Sequence, residues 1–171
     1  ADAFTSEFLE MLHHDREILE QLNADWEKEN DDPKFDKFQE NLTHNFFDKE
    51  INPSGKLVLF SESVDTLNYL YDRLTKEIGR SDVLMVTAAN RNRLEQTIKE
   101  NFDANFDSDS MRYNIIITSD VLAEGVNLHR SNVIVNYDSP WNATRLMQRI
   151  GRVNRIGSVA PNIYNYMFYP S

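Results

Sequence analysis

The chain has 171 residues, 40% of them hydrophobic, no cysteine, and a formal net charge of −10. That length and apolar content suit one globular domain with a substantial core and room for an appendage. No apolar run approaches the roughly 20 residues that cross a bilayer and no signal-peptide pattern opens the sequence, so no membrane association is expected. The missing cysteines exclude a disulfide framework and a thiolate metal site, and they fit a cytoplasmic location. The acidity is local: residues 1–50 hold 15 acids and 5 bases, whereas residues 51–171 hold 13 of each. Whole-chain charge therefore does not argue against a polyanionic partner for the larger part.

Apolar residues at helical spacing, Phe4, Phe8, Leu12, Ile18, Leu19, Leu22 and Trp26, predict a long amphipathic helix. Asp32-Pro33 is a good start for a second, with Asp as N-cap and Pro at the first helical position, followed by Phe35, Phe38, Leu42 and Phe46. Asn52-Pro53-Ser54-Gly55 reads as a turn, dividing an acidic helical segment, residues 1–50, from a domain over residues 51–171. Beyond it, short apolar runs alternate with helical periodicity, the pattern of strand and helix units around a parallel sheet. Strands are expected at Lys56 to Phe60, Val83 to Thr87, Asn114 to Thr118, Asn132 to Asn136 and Ile163 to Phe168. A helix over Val64 to Ile78 ends at Gly79, a second carries Leu94, Ile98, Phe102 and Phe106, and a helical turn lies around Val121-Leu122.

The last helix is the most informative stretch. At 100° per residue Arg145, Arg149, Arg152 and Arg155 fall within roughly a 120° arc, beside a face formed by Leu146, Met147, Ile150 and Val153. A row of guanidinium forks without an intervening acid is a receptor for phosphate, or else a solvated face with scattered ion pairs. The strand ends add Ser61-Glu62-Ser63, Thr87, Thr118-Ser119-Asp120 and Tyr137-Asp138, hydroxyl groups suited to holding a sugar-phosphate backbone. The stretch Thr118 to Leu128 reads either as a loop touching phosphate through Thr118 and Ser119 and ribose through Glu124 to Asn127, or as an ordinary connection capped by Ser119 or Asp120. Trp141 is expected to pack in the core or between lobes, with base stacking as the alternative. His13, His14, His44 and His129 form no metal pattern and read as surface residues.

In order, these pieces resemble the second RecA-like lobe of superfamily two helicases over Lys56 to Phe168. Lys56 to Glu62 resembles motif IV, Thr118 to Leu128 resembles motif V, and Gln148 to Arg155, with its Gln-x-x-Gly-Arg-x-x-Arg pattern, resembles motif VI. Asn136-Tyr137-Asp138, Trp141-Asn142 and Arg155-Ile156-Gly157 look like the Swi/Snf branch, particularly its bacterial members; Ser158, where many relatives have Gln, and the Ala-Glu-Gly-Val-Asn of motif V depart from the eukaryotic form. The resemblance implies a RecA-like parallel sheet of about five to six strands flanked by helices, preceded by the acidic helical segment. It also implies a lobe of an ATP-dependent translocase or helicase acting on nucleic acid, with double-stranded DNA as the expected substrate and RNA as the alternative.

Carried over by resemblance, Arg152 and Arg155 are arginine fingers. Gln148, Glu124, Gly125 and Asn127 lie at the nucleotide, and Ser61, Thr87, Thr118, Ser119 and Arg149 hold nucleic acid. The sequence has no Gly-x-x-x-x-Gly-Lys-Ser/Thr loop and no motif II acidic box. ATP and Mg2+ would therefore be gripped by an N-terminal RecA-like lobe of the same polypeptide. The chain alone is expected to bind no cofactor and to be inactive. The other reading is a non-catalytic RecA-like protein-interaction module.

Overall fold

The computed structural model describes residues 5–26, 28, 32–108, 112–122 and 125–169. The chain divides into two compact units, Ala1–Asp36 and Lys37–Ser171. In the first, helix α1 spans Ser6–Trp26 and buries none of its residues. Phe8, Leu12, Ile18, Leu19, Leu22 and Trp26, the expected stripe, are all exposed; Phe4 lies outside the described residues. Helix α2, Pro33–His44, begins as Asp32-Pro33 dictates, with the Phe35 N–H donating to Asp32 Oδ1 at 2.9 Å.

The larger unit is built on five parallel strands in the order β2-β3-β1-β4-β5: β1 Leu57–Phe60, β2 Val83–Val86, β3 Ile115–Thr118, β4 Val133–Asn136 and β5 Tyr164–Met167. Leu-Val-Leu-Phe, Ile-Ile-Ile-Thr and Val-Ile-Val-Asn are buried at every position, as strands covered on both faces must be. β1 lies at the centre, Leu57 in register with Ile115 on one side and Val133 on the other.

Helices cover both faces. On one, Val58, Phe60, Leu84, Val86, Ile116 and Ile134 pack with Ile98 and Phe102 of α4 (Arg91–Phe102) and Val153 of α5 (Ala143–Val153). On the other, α3 (Val64–Asp72) buries Leu67 and Leu70, and Phe38 of α2 meets Tyr137 and Phe168 edge-on at 5.8 and 6.1 Å. The helix expected over Val64 to Ile78 changes character at Arg73: Arg73–Glu77 is a π-helical turn, and Gly79 leaves it at φ +77°. The Asn52 turn is held by its own side chain, whose Nδ2 donates to Phe46 O at 2.8 Å and Lys56 O at 3.0 Å.

Core packing is excluded for Trp141, which stands in the bend ahead of α5 and is 90% exposed; packing against another lobe and base stacking are the readings this leaves. His129 is not a surface residue but fully buried, in the segment that leads into β4. No helix among the described residues is long and apolar enough to cross a membrane, and no group of His, Cys, Asp or Glu there could hold a metal ion.

Candidate functional site

Helix α5 organises the candidate site. Its start is set by Asn142, extended at φ −145° and accepting from the Arg145 N–H at 2.9 Å. As the crossover between parallel β4 and β5, α5 runs back from the carboxyl end of β4, and its 11 residues separate its two ends by about 16 Å. The sequence-selected residues divide between those ends.

At the first end Ser61, Thr87, Thr118 and Ser119 stand at the carboxyl ends of β1, β2 and β3. Ser61 is fully buried, and its hydroxyl donates in a short bond to Asp138 Oδ2. Thr118 is equally buried and donates to Ser119 O at 3.1 Å. Thr87 and Ser119 are partly exposed.

Arg149 belongs to this end and is also withdrawn from solvent. Its Nε donates to Asp120 Oδ1 at 2.6 Å, its Nη1 donates to Asn136 Oδ1 at 2.9 Å, and its guanidinium lies 5.0 Å from the Phe60 ring centroid. Arg145 Nη1 meets the same Asp120 at 3.1 Å and Glu62 at 3.6 Å. The arginine row therefore finds its acids on other segments. Asp120 opens the short helical turn Asp120–Leu122, where a turn was expected. The reason for the burial is angular: Arg149 projects only about 40° from buried Val153 around the axis, within the covered face of α5.

At the other end α5 stops at Val153, since Asn154 leaves helical geometry at φ −83°, ψ 86°. Arg152 is therefore on the helix and half-buried, whereas Arg155 lies beyond it and is exposed. Arg155 Nε returns to Gly151 O at 3.1 Å, and its Nη1 makes a short bond to Asn127 Oδ1. The loop carrying Asn127 is tied to the helix end by the Leu128 N–H, which donates to Arg152 O at 2.9 Å. Gly125 is exposed at φ +79°, and Gln148 is exposed on α5 one turn before Arg152. Glu124 lies outside the described residues. Motif reasoning missed Asp103, at the end of α4, whose Oδ2 accepts from Asn127 Nδ2 at 3.2 Å; no local pattern marks it.

A doubly covered parallel sheet with an arginine-bearing crossover helix defines a RecA-like lobe of the helicase C-terminal class. Residues 33–157 match the helicase conserved C-terminal domain, and the chain belongs to that family. An uncharacterized ATP-dependent helicase of Bacillus subtilis, YqhH, is 46% identical over 52 residues, 30% of this chain and 9% of that protein. The ATP-dependent RNA helicase DBP5 of Debaryomyces hansenii is 29% identical over 117 residues, 64% of this chain and 22% of its own length. The chain thus spans only a small part of these relatives.

Solved structures agree on the fold. The C-terminal part of the Fun30 ATPase domain superposes with a TM-score of 0.61 at 21% identity, over 78% of this chain and 40% of that one. S. cerevisiae Dbp5 bound to RNA and ADP BeF3 gives 0.58 at 26% identity, over 81% of this chain and 32% of its own.

Proposed function

We propose that this chain is the C-terminal motor lobe of an ATP-dependent nucleic-acid translocase or helicase, of the Swi/Snf-like branch and bacterial type, acting on double-stranded DNA. A preceding lobe of the same polypeptide would grip ATP and Mg2+. Arg152 and Arg155 would reach across to the transferring phosphoryl group, whose developing charge guanidinium donors stabilise. Gln148, Gly125 and Asn127 would border the nucleotide.

The observation that carries this reading is the bond between Arg155 and Asn127, which joins the segments resembling motifs VI and V at one end of α5. At the other end, the partly exposed Thr87 and Ser119 would meet a sugar-phosphate backbone, and the buried Ser61, Thr118 and Arg149 would support that surface.

The test is nucleic-acid-stimulated ATP hydrolysis by the two-lobed protein, with Arg152→Ala and Arg155→Ala, on duplex DNA and on RNA. Loss of about 10³ to 10⁵ in kcat is expected for a finger arginine. Wild-type turnover in both variants would discard the motor role and leave a protein-interaction module. Turnover by the 171-residue chain alone, with DNA and magnesium ATP, would discard the half-site idea. Faster turnover on RNA than on duplex DNA would overturn the choice of substrate.

A further inference from the structure

We propose that Asp103, which lies in none of the motif segments, is a positioning residue that fixes the Arg155 guanidinium by holding Asn127. Only the catalytic consequence rests on the motor reading above; the relay itself does not.

Arg155 has no helix to hold it, and it is exposed. An arginine side chain so placed carries roughly 2 kcal/mol of rotamer entropy and would wander unless bonded. Its two bonds go to Gly151 O and to Asn127 Oδ1. The Gly151 carbonyl is a neighbour on the chain, so the bond that reaches across to another segment is the one to Asn127.

The orientation of Asn127 follows from chemistry. A carboxylate only accepts and a guanidinium only donates, so an amide lying between them must turn its NH2 to Asp103 and its oxygen to Arg155. The distances agree, with Asn127 Nδ2 3.2 Å from Asp103 Oδ2. Without the carboxylate the amide has no reason to prefer that face, and a flipped amide would set donor against donor at Arg155.

Asp103 is itself fixed. Its backbone N–H donates to Lys99 O at 3.0 Å, closing α4, and its Oδ1 accepts from the Asn105 N–H at 2.9 Å. The buried His129 ring stands behind it, Nδ1 3.7 Å from Oδ1. Neither ring nitrogen has a hydrogen-bond partner among the described residues. Burial pushes that imidazole toward its neutral form; Asp103 opposes the shift, while Arg155 and Arg130 add to it. Neutral His129 leaves the carboxylate charge for Asn127. The segment after Arg155 rests on the same group, since a Cβ at Gly157 would come within 3.6 Å of Asn105 Oδ1 and 3.7 Å of His129 Nε2.

The experiment follows the Arg155 Nη groups, Nη1 being the atom bonded to Asn127, by ¹⁵N relaxation and solvent exchange in the 171-residue chain. The wild type should show a restrained, slowly exchanging group. Asp103→Asn keeps the volume but leaves one acceptor for two donors, so Arg155 should become mobile while the backbone spectrum stays folded. Asn127→Ala should free it equally, and the double variant no further. An Arg155 as restrained in Asp103→Asn as in the wild type, or mobile in the wild type itself, would overturn the relay.

In the two-lobed protein Asp103→Asn should lower kcat about 10- to 100-fold, the scale of a misplaced catalytic group, with little change in the KM for ATP. It should have no further effect in an Arg155→Ala background. If Arg155→Ala leaves turnover intact, the motor reading fails while the relaxation result still decides the relay.

Discussion

Asp120 and Arg149 form a part-buried ion pair, Oδ1 to Nε at 2.6 Å, that ties the turn after β3 to the middle of α5. Arg149 has no exposed surface; Asn136 Oδ1 accepts from its Nη1 and the Phe60 ring lies against the guanidinium, while Nη2 has only a long ionic contact with Glu62 Oε1 at 3.9 Å and no hydrogen-bond partner among the described residues. Truncating Arg149 removes this bond and leaves a cavity beneath the Phe60 ring, but Asp120 is partly exposed and keeps Arg145, so the cost falls short of the about 3–5 kcal/mol of a fully buried pair. Arg149→Ala should therefore cost about 1–3 kcal/mol in urea unfolding. Arg149→Met, which refills the space, should cost distinctly less. A loss for Arg149→Ala below about 1 kcal/mol, the level of an ordinary surface change, would show that the pair contributes little.

The helix starts are set by two short side chains. Ser63 accepts from the Asp65 and Thr66 N–H groups at 3.2 and 3.4 Å, and Asn142 accepts from Arg145 N–H at 2.9 Å. Replacement by Ala should cost about 1 kcal/mol at each site. Asn142→Asp should be close to neutral, because a carboxylate caps as well and suits the positive end of the helix dipole. The midpoints of thermal unfolding of these three variants give the order directly.

Lys56 makes stability depend on alkaline pH. Burial lowers its pKa from 10.5 to about 8, with Arg130 adding to the shift and Asp82 opposing it; its Nζ donates to Tyr113 O at 2.5 Å. Between those two values the unfolded chain keeps the proton and the folded chain has released it. The unfolded state then binds more protons, so folding stability rises with pH across the window from about 8 to 10.5. The full gain is on the order of 3 kcal/mol. Lys56→Met should flatten the slope in denaturant titrations at pH 7.5, 8.5 and 9.5 (values spaced about a unit to sample the window). An unchanged slope in that variant would assign it to another group.

How far the sequence discloses this structure depends on the range of the forces involved. All five strands lie within a residue or so of the apolar runs that announce them, because burial on both faces demands runs such as Ile115-Ile116-Ile117. Caps at Asp32 and Asn142 are equally local. The fate of the arginine row is not local. Periodicity places Arg149 on an arc but cannot say that the arc overlaps the buried one, nor that the acid meeting it lies 29 positions earlier at Asp120. Likewise the helical pattern runs through Arg155, whereas Asn154 ends the helix and hands that side chain to Asn127, 28 positions away. His129 is buried where a surface residue was expected for the same reason: burial at a strand entrance is set by what packs there.

Gly125 separates backbone strain from crowding in the loop ahead of Asn127. It sits at φ +79°, and a Cβ there would come within 2.6 Å of Arg91 Nη2, the far end of a flexible side chain. The guanidinium can move aside at little cost, whereas a left-handed conformation costs an L-residue about 1–2 kcal/mol whatever surrounds it. Gly125→Ala should thus lose about 1–2 kcal/mol of stability, and Gly125→Asn less, since Asn tolerates that region. Adding Arg91→Ala to Gly125→Ala tells the two causes apart: if strain dominates, the second change restores nothing. Recovery of wild-type stability in the double variant would show that contact with Arg91, and not φ, selects glycine at this position.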